Sequence, residues 1–203
     1  MIDTDAMFHL EYGLYLLTAK AEKDNGCIIN TVMQVTSDPI MVCTAVNKNN
    51  LTHDMINEMG IFNVNILDKD TPFSVFSHFG YQSGRDVDKF KDRTDIARSE
   101  NGLIYLTSHS NAYLSVKVMQ RIGLETHTLF LGEVTEAKVL STKETVTYRD
   151  YQKDIKPQQS QTKQQKKGYI CEVCGYIYEG DELPENYICP VCKHGADAFK
   201  PLV

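Results

Sequence analysis

Four cysteines near the end of the chain have the residue type and the spacing of a metal site. They form two Cys-x-x-Cys pairs, Cys171 with Cys174 and Cys189 with Cys192, and fourteen residues separate the pairs. Two such pairs can bring four thiolates into a tetrahedral arrangement around one ion. Thiolates bind both zinc and iron, so the spacing predicts a metal site without choosing the metal.

The residues around the cysteines favour iron. Gly175 follows the second cysteine, where a positive φ lets backbone N–H groups point at sulfur. Four aromatic residues supply apolar rings near the site in sequence: Tyr169, Tyr176, Tyr187 and Phe199. The strings Cys-x-x-Cys-Gly-Tyr and Cys-Pro-x-Cys, with the tail Ala198-Phe199, resemble a rubredoxin over residues 168–203. This resemblance implies a one-electron carrier with one iron held by the four cysteines.

Two departures from the rubredoxin pattern leave a second interpretation open. The segment between the pairs is shorter than in free-standing rubredoxins and is closer to compact rubredoxin domains such as that of rubrerythrin. Tyr187 stands where a Trp is usual, and Lys193 replaces the Gly of the second knuckle. The alternative is a structural zinc ribbon.

Length and cysteine usage indicate two unequal domains in a reducing compartment. The chain has 203 residues, whereas about 150 residues can already bury a full core. Cys27 and Cys43 are isolated in apolar, strand-like segments, which argues for reduced thiols and against disulfides. The first residues are acidic and lack the basic stretch and apolar core of a signal peptide. We therefore expect a cytoplasmic protein.

Hydropathy and charge exclude two classes of partner. No apolar run approaches the roughly 20 residues of a membrane span. The net charge is −6 and the sequence pI is about 5.5, so the chain offers no basic surface for nucleic acid. We expect neither a membrane nor a nucleic-acid partner.

The long N-terminal part has the pattern of an antiparallel β protein. Apolar segments alternate with turn signals, including Asn25-Gly26, which suits a two-residue hairpin turn, and Asp38-Pro39, which breaks the chain. With at least six strands and few helices, the sequence predicts a closed barrel. The predicted strands are residues 12–19, 27–35, 40–46, 61–67, 103–106, 112–118 and 128–134.

Residues 47–53 form a polar loop that opens a short helix ending near Met59-Gly60. Asn50 or Thr52 would be the N-terminal cap of this helix. Free backbone N–H groups, the helix dipole and Lys48 together suit an anion such as phosphate. The alternative is an ordinary capped loop. A further segment, residues 70–98, is long enough to be functional or to contain short helices of its own.

Four segments in this order resemble the flavin reductase-like family of FMN-binding split barrels: residues 30–35, 47–53, 60–65 and 126–134. Residues 147–151 resemble the closing Tyr-x-x-Tyr of that family, and the resemblance spans roughly residues 8–155. It implies a mainly β fold, an FMN-binding split β-barrel followed by the small rubredoxin-like metal domain. It also implies a homodimer with one FMN per barrel, bound near the subunit interface.

The family resemblance assigns roles to individual residues. Asn30, Thr31, Val32 and Gln34 would lie along the isoalloxazine ring, and Asn47, Lys48, Asn50 and Thr52 form the loop whose last three members would hold the phosphate. His127 would be the catalytic residue beside the flavin, where nicotinamide or another donor approaches, and residues around Phe79 and Gly80 would cover the ring. Each role has an alternative: Gln34 facing solvent, Lys48 as a solvated charge, and His127 as a structural residue.

Residues 153–167 are polar, with one aliphatic and no aromatic side chain, and are expected to form a flexible linker. The predicted domains are therefore residues 1–152 and 168–203.

A flavin reductase-like barrel fused to a compact rubredoxin resembles the high-molecular-weight rubredoxins of anaerobic bacteria. That family passes electrons from NAD(P)H, directly or through a separate reductase, to a flavodiiron protein that reduces oxygen or nitric oxide.

Two other functions are compatible with the sequence. One is a plain NAD(P)H:flavin reductase in which the cysteines hold a structural zinc. The other is a non-enzymatic module, in which a barrel without FMN dimerises and the metal domain binds a partner. The sequence contains no glycine fingerprint for a dinucleotide, so it does not identify the immediate electron donor.

Overall fold

The computed structural model describes residues 2–157, 168–173, 176–190 and 194–202. The chain divides into two compact units, Met1–Pro157 and Gln158–Val203. Within the described residues, no helix has both the length and the apolar character needed to cross a membrane.

The first unit is built on one seven-stranded antiparallel sheet with the order β2-β1-β5-β8-β9-β4-β3. A separate hairpin, β6–β7, and three helices complete it. The strands are β1 Tyr15–Lys20, β2 Asp24–Ile29, β3 Val32–Ser37, β4 Ile40–Asn47, β5 Ile61–Leu67, β6 Ile96–Arg98, β7 Ile104–Leu106, β8 Ser110–Gly123 and β9 His127–Val139. The helices are α1 Leu51–Met59, α2 Phe73–Gly80 and α3 Tyr148–Asp150, with a π-helical turn at Tyr151–Ile155 and a 3-10 turn at Thr4–His9.

The sheet closes on itself because its two edge strands are consecutive in the chain. Only Asn30 and Thr31 separate β2 from β3, although these strands lie at opposite ends of the sheet order. Two residues span at most about 10 Å, so the sheet must curve until its edges approach each other. The predicted mainly β split barrel is thereby confirmed.

Residues 27–35, expected as one strand, therefore form the end of one strand and the start of another. The Thr31 hydroxyl donates to the carbonyl of Ala45 at 2.9 Å and accepts from its N–H at 3.2 Å. These two hydrogen bonds anchor the segment that crosses from β2 to β3 against β4. The prediction of a continuous strand was wrong, because composition does not reveal which neighbour each half pairs with.

The hairpin turn expected at Asn25-Gly26 was also wrong. Lys20 pairs with Asp24, so the turn is residues 21–23 and Asn25-Gly26 lies inside β2. The Asn25 side chain is buried at 2% exposure, and its Nδ2 donates to the Thr52 hydroxyl at 3.0 Å. A Cβ on Gly26 would lie 2.9 Å from the Leu17 carbonyl oxygen. Tertiary contacts thus override the local turn preference of this pair.

Two apolar clusters fill the barrel and the space under α2. The first includes Leu17, Val46, Ile56, Phe62, Val64, Val116 and Phe130. The second includes Leu16, Leu67, Phe76, Phe79, Leu106 and Val146. Helix α1 packs Met55 and Ile56 into the first cluster and ends, as predicted, at Gly60, whose φ of 71° suits a left-handed cap.

The long segment 70–98 contains α2 and is held against β2 by a buried lysine. Lys89 is 3% exposed, and its Nζ donates to the carbonyls of Gly26 at 2.9 Å and Phe79 at 2.8 Å. The Phe79 ring is fully buried and packs against Phe90. Phe79 therefore belongs to the core, and the expected cover over the flavin by residues around Phe79 and Gly80 stays a prediction.

The second unit has a three-stranded sheet with the order β11-β10-β12. Its strands are β10 Tyr169–Cys171, β11 Ile177–Tyr178 and β12 Phe199–Pro201, and a 3-10 turn lies at Ala196–Ala198. The linker was expected to begin at Lys153, whereas the π-helical turn continues to Ile155, which packs against the second core cluster. Residues 158–167 lie outside the described residues.

Candidate functional site

The loop between β4 and α1 presents an open helix N-terminus. The Asn47 Oδ1 accepts from the N–H of Asn49 at 2.8 Å, and the Asn47 carbonyl accepts from the N–H of Asn50 at 3.0 Å. Asn50 is the N-cap, with φ −77° and ψ 132°, but its side chain makes no capping bond to the helix. The N–H of His53 donates to the Asn50 carbonyl at 3.0 Å, and no side chain of Asn50 caps the first turn. The positive end of the helix dipole is therefore not neutralised by a capping side chain of Asn50, which suits the phosphate that the sequence predicted.

Lys48 is exposed and is held at the tip of the β8–β9 hairpin. Its Nζ donates to the carbonyls of Leu124 at 2.5 Å and Glu125 at 3.1 Å, and its backbone N–H donates to Thr126 at 3.0 Å. The loop and the hairpin tip are thus one surface. Lys48 contributes a positive charge beside the open helix end.

The side chains of the helix cap face inward toward β2. Thr52 is fully buried, and burial raises the pKa of the Cys27 thiol, although hydrogen bonds from Thr52 and Asn50 and the charge of Lys89 act in the opposite direction. The hydroxyl of Thr52 and the side chain of Asn50 therefore reach the buried thiol. This arrangement explains why Asn50 does not cap the helix with its side chain, and it leaves backbone N–H groups as the exposed donors.

His127 lies at the same end of the barrel as the loop. It is the first residue of β9 and pairs in register with Asn47, the last residue of β4. Its ring Nδ1 is 2.8 Å from the Thr126 hydroxyl. The structure therefore brings His127 together with the predicted phosphate residues.

The predicted ring-binding residues occupy the crossing from β2 to β3. Thr31 is tied to Ala45, two residues before Asn47, so the crossing adjoins the phosphate loop. Val32 packs against the first core cluster. Gln34 is exposed and donates from Nε2 to the Thr36 carbonyl of its own strand at 3.1 Å, so its side-chain bond is local.

Sequence reasoning missed a buried histidine beside this site. The ring of His53 has Nδ1 at 3.0 Å from Asp54 Oδ1 and Nε2 at 2.9 Å from the Thr128 hydroxyl. A signal was present, because His53 and Ile56 are three residues apart and share the buried face of α1. The contact with Thr128, 75 residues away, had no sequence signal.

The metal centre is described through one cysteine of each pair. Cys171 and Cys189 are fully buried, and neither forms a disulfide. Each begins a knuckle that is closed by an equivalent backbone hydrogen bond to the residue five positions later. The N–H of Cys171 donates to the Tyr176 carbonyl and the N–H of Cys189 donates to the His194 carbonyl, both at 2.8 Å. Two buried cysteines on matching knuckles fit a tetrathiolate metal centre.

The other two predicted ligands, Cys174 and Cys192, lie outside the described residues. For that reason, no group of three or more metal-binding side chains is found in the described part. Aromatic rings enclose the described cysteines, with Tyr187 packed edge-on against Tyr178 and Phe199. A hydrogen bond with Tyr176 raises the pKa of Tyr187 to about 12.

Comparison with known proteins identifies the family. The family model of the flavin reductase like domain matches residues 7–156, and that of the rubrerythrin, rubredoxin-like domain matches residues 169–200. High molecular weight rubredoxin of Moorella thermoacetica is 36% identical, covering 99% of this chain and 100% of the relative. Ferric-chelate reductase (NAD(P)H) of Archaeoglobus fulgidus is 36% identical, covering 74% of this chain and 89% of the relative.

A solved structure agrees with the fold. The NADH:FAD oxidoreductase of Streptomyces globisporus C-1027 matches with a TM-score of 0.65 at 22% identity, covering 72% of this chain and 90% of that chain. The fold and the cysteine knuckles define an electron-transferring oxidoreductase with a flavin-binding barrel and a rubredoxin-like domain. The chain belongs to the flavin reductase-like family, with the two-domain arrangement of high molecular weight rubredoxin over its whole length. These relationships support a flavin, an iron centre and NAD(P)H-linked electron transfer.

Proposed function

We propose that this protein receives electrons on FMN in the barrel and delivers them singly through an iron held by four cysteines. The donor is NAD(P)H or a separate NAD(P)H-dependent reductase. Bound FMN supplies two-electron hydride chemistry, and an iron bound by four thiolates supplies one-electron transfer. The ligands of the iron are Cys171, Cys174, Cys189 and Cys192. The observation that carries the proposal is the presence of both domains in one chain, similar along its full length to high molecular weight rubredoxin.

The barrel binds the phosphate of FMN at the N-terminus of α1. Lys48 supplies the charge, while Asn50 and Thr52 hold the first turn against Cys27 so that its N–H groups point outward. Asn47 sets the loop through its bonds to Asn49 and Asn50. These contacts favour a monophosphate, because the helix end and one lysine match a single dianionic group.

The ring of FMN lies along Asn30, Thr31, Val32 and Gln34. The crossing from β2 to β3 leaves backbone polar groups beside the phosphate loop, since Thr31 is tied to Ala45 of β4. His127 stands next to Asn47 in register and orients the donor at the flavin. Its role is positional: the Thr126 hydroxyl holds Nδ1 and restricts the ring.

The protein functions as a homodimer. Residues paired directly across antiparallel strands point to the same side of the sheet, so Met33, Cys43 and Leu131 form one outward row. Ala45, Leu129 and Ile122 form the next row. Met33 is 61% exposed and Ile122 is 41% exposed, which leaves a contiguous apolar face of the kind that a second copy covers.

Light scattering after gel filtration tests the dimer. Leu131→Glu places a charge in the centre of this face and is expected to give monomers at concentrations where the parental protein is dimeric. Val139→Glu, on the same strand but at its far end where Val139 is 75% exposed, is the matched control and should remain dimeric. A Leu131→Glu protein with the parental mass would refute this interface.

The electron acceptor is a redox protein with a basic docking patch, such as a flavodiiron oxygen or nitric oxide reductase. The rubredoxin-like unit carries six exposed acids that would face such a patch: Glu172, Glu179, Asp181, Glu182, Glu185 and Asp197. Opposite charges speed transient encounter without requiring a tight complex. The barrel cysteines Cys27 and Cys43 form no disulfide, which is typical of the cytoplasm, and we propose this location.

Stopped-flow spectroscopy tests the electron route. Cys189→Ser removes one iron ligand, so it should leave flavin reduction by NADH or NADPH unchanged while slowing transfer to a one-electron acceptor protein at least tenfold. Thr142→Ala, at an exposed position of the barrel unit outside the proposed dimer face, is the control and should transfer at the parental rate. Parental transfer by Cys189→Ser would mean that the iron lies off the route.

The second candidate is an NAD(P)H:flavin reductase with a structural zinc. It is favoured by the ferric-chelate reductase relative, which matches 74% of this chain and so corresponds to the barrel without the cysteine unit. Metal analysis and the visible spectrum distinguish the two. Zinc alone, with no absorbance remaining after flavin removal, would support the reductase.

A further inference from the structure

Four polar side chains form a continuous chain across three elements of the barrel unit. Arg85 Nη2 donates to Asp54 Oδ2 at 2.6 Å, and Asp54 Oδ1 is 3.0 Å from Nδ1 of His53. The Nε2 of His53 is 2.9 Å from the Thr128 hydroxyl. The chain therefore runs from the segment after α2, through α1, to β9.

The contacts fix the orientation of the His53 ring. An ionised Asp54 accepts hydrogen bonds only, so Nδ1 of His53 must carry the proton. The Thr128 hydroxyl pairs with Nε2 in either protonation state of the ring, because a hydroxyl can both donate and accept. Burial alone would disfavour the Asp54 carboxylate, but hydrogen bonds from His53 and Arg85 outweigh this and lower its pKa.

The inner half of the chain is buried, whereas its outer half is exposed. His53 is 9% exposed and Thr128 is 7% exposed, and the imidazole packs at 5.6 Å from the Phe130 ring. The side chain of Arg85 is 51% exposed and that of Asp54 is 48% exposed. An exposed ion pair contributes little by itself, so the contact of His53 with Thr128 is the significant bond.

This bond joins the two halves of the proposed flavin site. His53 follows Thr52 in the first turn of α1, and Thr128 follows His127 at the start of β9. Asn47 pairs with His127, so the backbone aligns β4 with β9, and the Thr52 hydroxyl ties α1 to β2 through Asn25. The His53 side chain adds the hydrogen bond from the first turn of α1 to β9.

We propose that His53 is a positioning residue that holds the phosphate-binding turn of α1 in register with the start of β9 and thereby sets the affinity for FMN. The inference rests on the proposed function, because it concerns the same flavin site. The Asp54 carboxylate orients the imidazole through Nδ1, and the Thr128 hydroxyl forms the hydrogen bond with Nε2. Arg85 is not needed for the effect on FMN affinity. The alternative is a core histidine whose bonds contribute to stability alone.

Titration of the flavin-free, full-length protein with FMN, followed by flavin fluorescence, tests the proposal. Thr128→Val keeps the shape of the side chain and removes its hydroxyl, so the Kd for FMN should rise about fivefold, the effect of one hydrogen bond. Thr128→Ser restores the hydroxyl and should return the Kd to within about twofold of the parental value.

Thr44→Val is the matched control. Thr44 is fully buried in β4 and pairs in register with Phe130, and its hydroxyl has no partner within the described part of the chain. Removing that hydroxyl should leave the Kd unchanged. Asp54→Asn tests the orientation of the His53 ring without altering the buried core, and it should raise the Kd for FMN two- to threefold. Arg85→Gln should bind FMN with the parental Kd.

The outcomes separate the inference from the proposed function. A Thr128→Val protein with a lowered melting temperature and the parental Kd would show a structural role and would overturn the inference alone. Failure of Thr128→Ser to restore affinity would also overturn it. A parental protein without measurable affinity for FMN would overturn the proposed function, and the inference with it.

Discussion

Two buried asparagines on β5 fasten the short β6–β7 hairpin to the main sheet. Asn65 is fully buried, its Nδ2 donates to the Leu16 carbonyl at 3.0 Å and its Oδ1 accepts from the N–H of Leu106 at 2.8 Å. Asn63, also fully buried, donates from Nδ2 to the Ser99 hydroxyl at 2.7 Å. Side-chain amides of β5 thus bond to buried polar groups of β1, of β7 and of the segment that joins β6 to β7.

Asn65→Ala should be strongly destabilising. The substitution leaves the buried Leu106 N–H without its Asn65 partner, which costs about 1–3 kcal/mol, and it also removes the side-chain bond to the Leu16 carbonyl. We expect urea unfolding to show a loss of about 2–4 kcal/mol. Asn57→Ala, at an exposed position of α1, is the control and should change stability by less than about 0.5 kcal/mol. A loss below about 1 kcal/mol for Asn65→Ala would contradict the role given to the amide.

Asp95 makes stability depend on pH in the acid range. Burial opposes its ionisation, but hydrogen bonds from Arg93 and Ser108 outweigh this and lower its pKa. A group whose pKa is lowered in the folded state stabilises the protein above its unfolded pKa of about 3.9, and this stability is lost as pH falls through the folded pKa. Stability should therefore fall as the pH is lowered from about 5 to 2.

Chemical denaturation at several pH values measures this effect. Asp95→Asn should be less stable at neutral pH and should show a flatter loss of stability toward low pH than the parental protein. Asp86→Asn, in the same long segment but exposed, controls for the loss of a surface charge. Parallel pH profiles for Asp95→Asn and the parental protein would rule out Asp95 as the titrating group.

At the scale of elements, the β8–β9 hairpin dominates the barrel. Its strands have 14 and 13 residues, and their pairing has register shifts at Ser115/Val116 and Val118/Gln120. Gly132 lies in this region: a Cβ there would be 2.4 Å from Val116 Cγ1 and 2.8 Å from the Lys117 carbonyl oxygen. The close approach of the two strands requires a residue without a side chain.

Gly132→Ala should therefore destabilise the protein by at least about 2 kcal/mol, because the backbone oxygen cannot move without breaking the pairing. Gly123→Ala is a matched control at the end of the same hairpin, where a Cβ would have no neighbour within 4 Å. Thermal unfolding of both variants checks the difference. Equal melting temperatures would mean that the strands can separate locally.

The sequence predicted those elements whose local pattern and burial agree. Gly60 ends α1 where a helix cap was expected, and Asp38-Pro39 separates β3 from β4. The pattern failed where tertiary contacts decide the outcome, as for Asn25, whose side chain bonds to Thr52 on α1 instead of forming a turn. Strands β8 and β9 are longer than predicted, because exposed apolar residues such as Met119 interrupt the alternation of apolar and polar residues from which the strands were predicted.

The candidate sites were predictable to a similar degree. The cysteine pairs are contiguous in sequence and were predicted from their spacing, whereas the phosphate role of the polar loop opening α1 was predicted from the family resemblance. The bond between His53 and Thr128 joins residues 75 positions apart, and neither residue type indicates it. Buried polar contacts between distant elements need the fold before they can be identified.

At the scale of the whole molecule, the two units differ in how their cores are formed. The first unit has two apolar clusters centred on large buried side chains such as Phe62 and Phe79. In the described second unit, the fully formed apolar cluster consists of the buried residues Cys171, Cys189 and Phe199. A unit this small cannot bury enough apolar area to offset chain entropy, so the metal must supply much of its folding free energy.

Loss of the metal should consequently unfold the second unit while the first remains intact. In Cys189→Ser, hydrogen exchange measured by mass spectrometry should become rapid throughout residues 168–203, because the buried knuckle no longer closes around an ion. Peptides from residues 12–157 should keep the parental exchange rates, since their clusters contain no cysteine ligand. Cys43→Ala controls for thiol loss and should protect both regions as the parental protein does. Continued protection of residues 168–203 in Cys189→Ser would show that the apolar rings around Tyr187 fold this unit without metal.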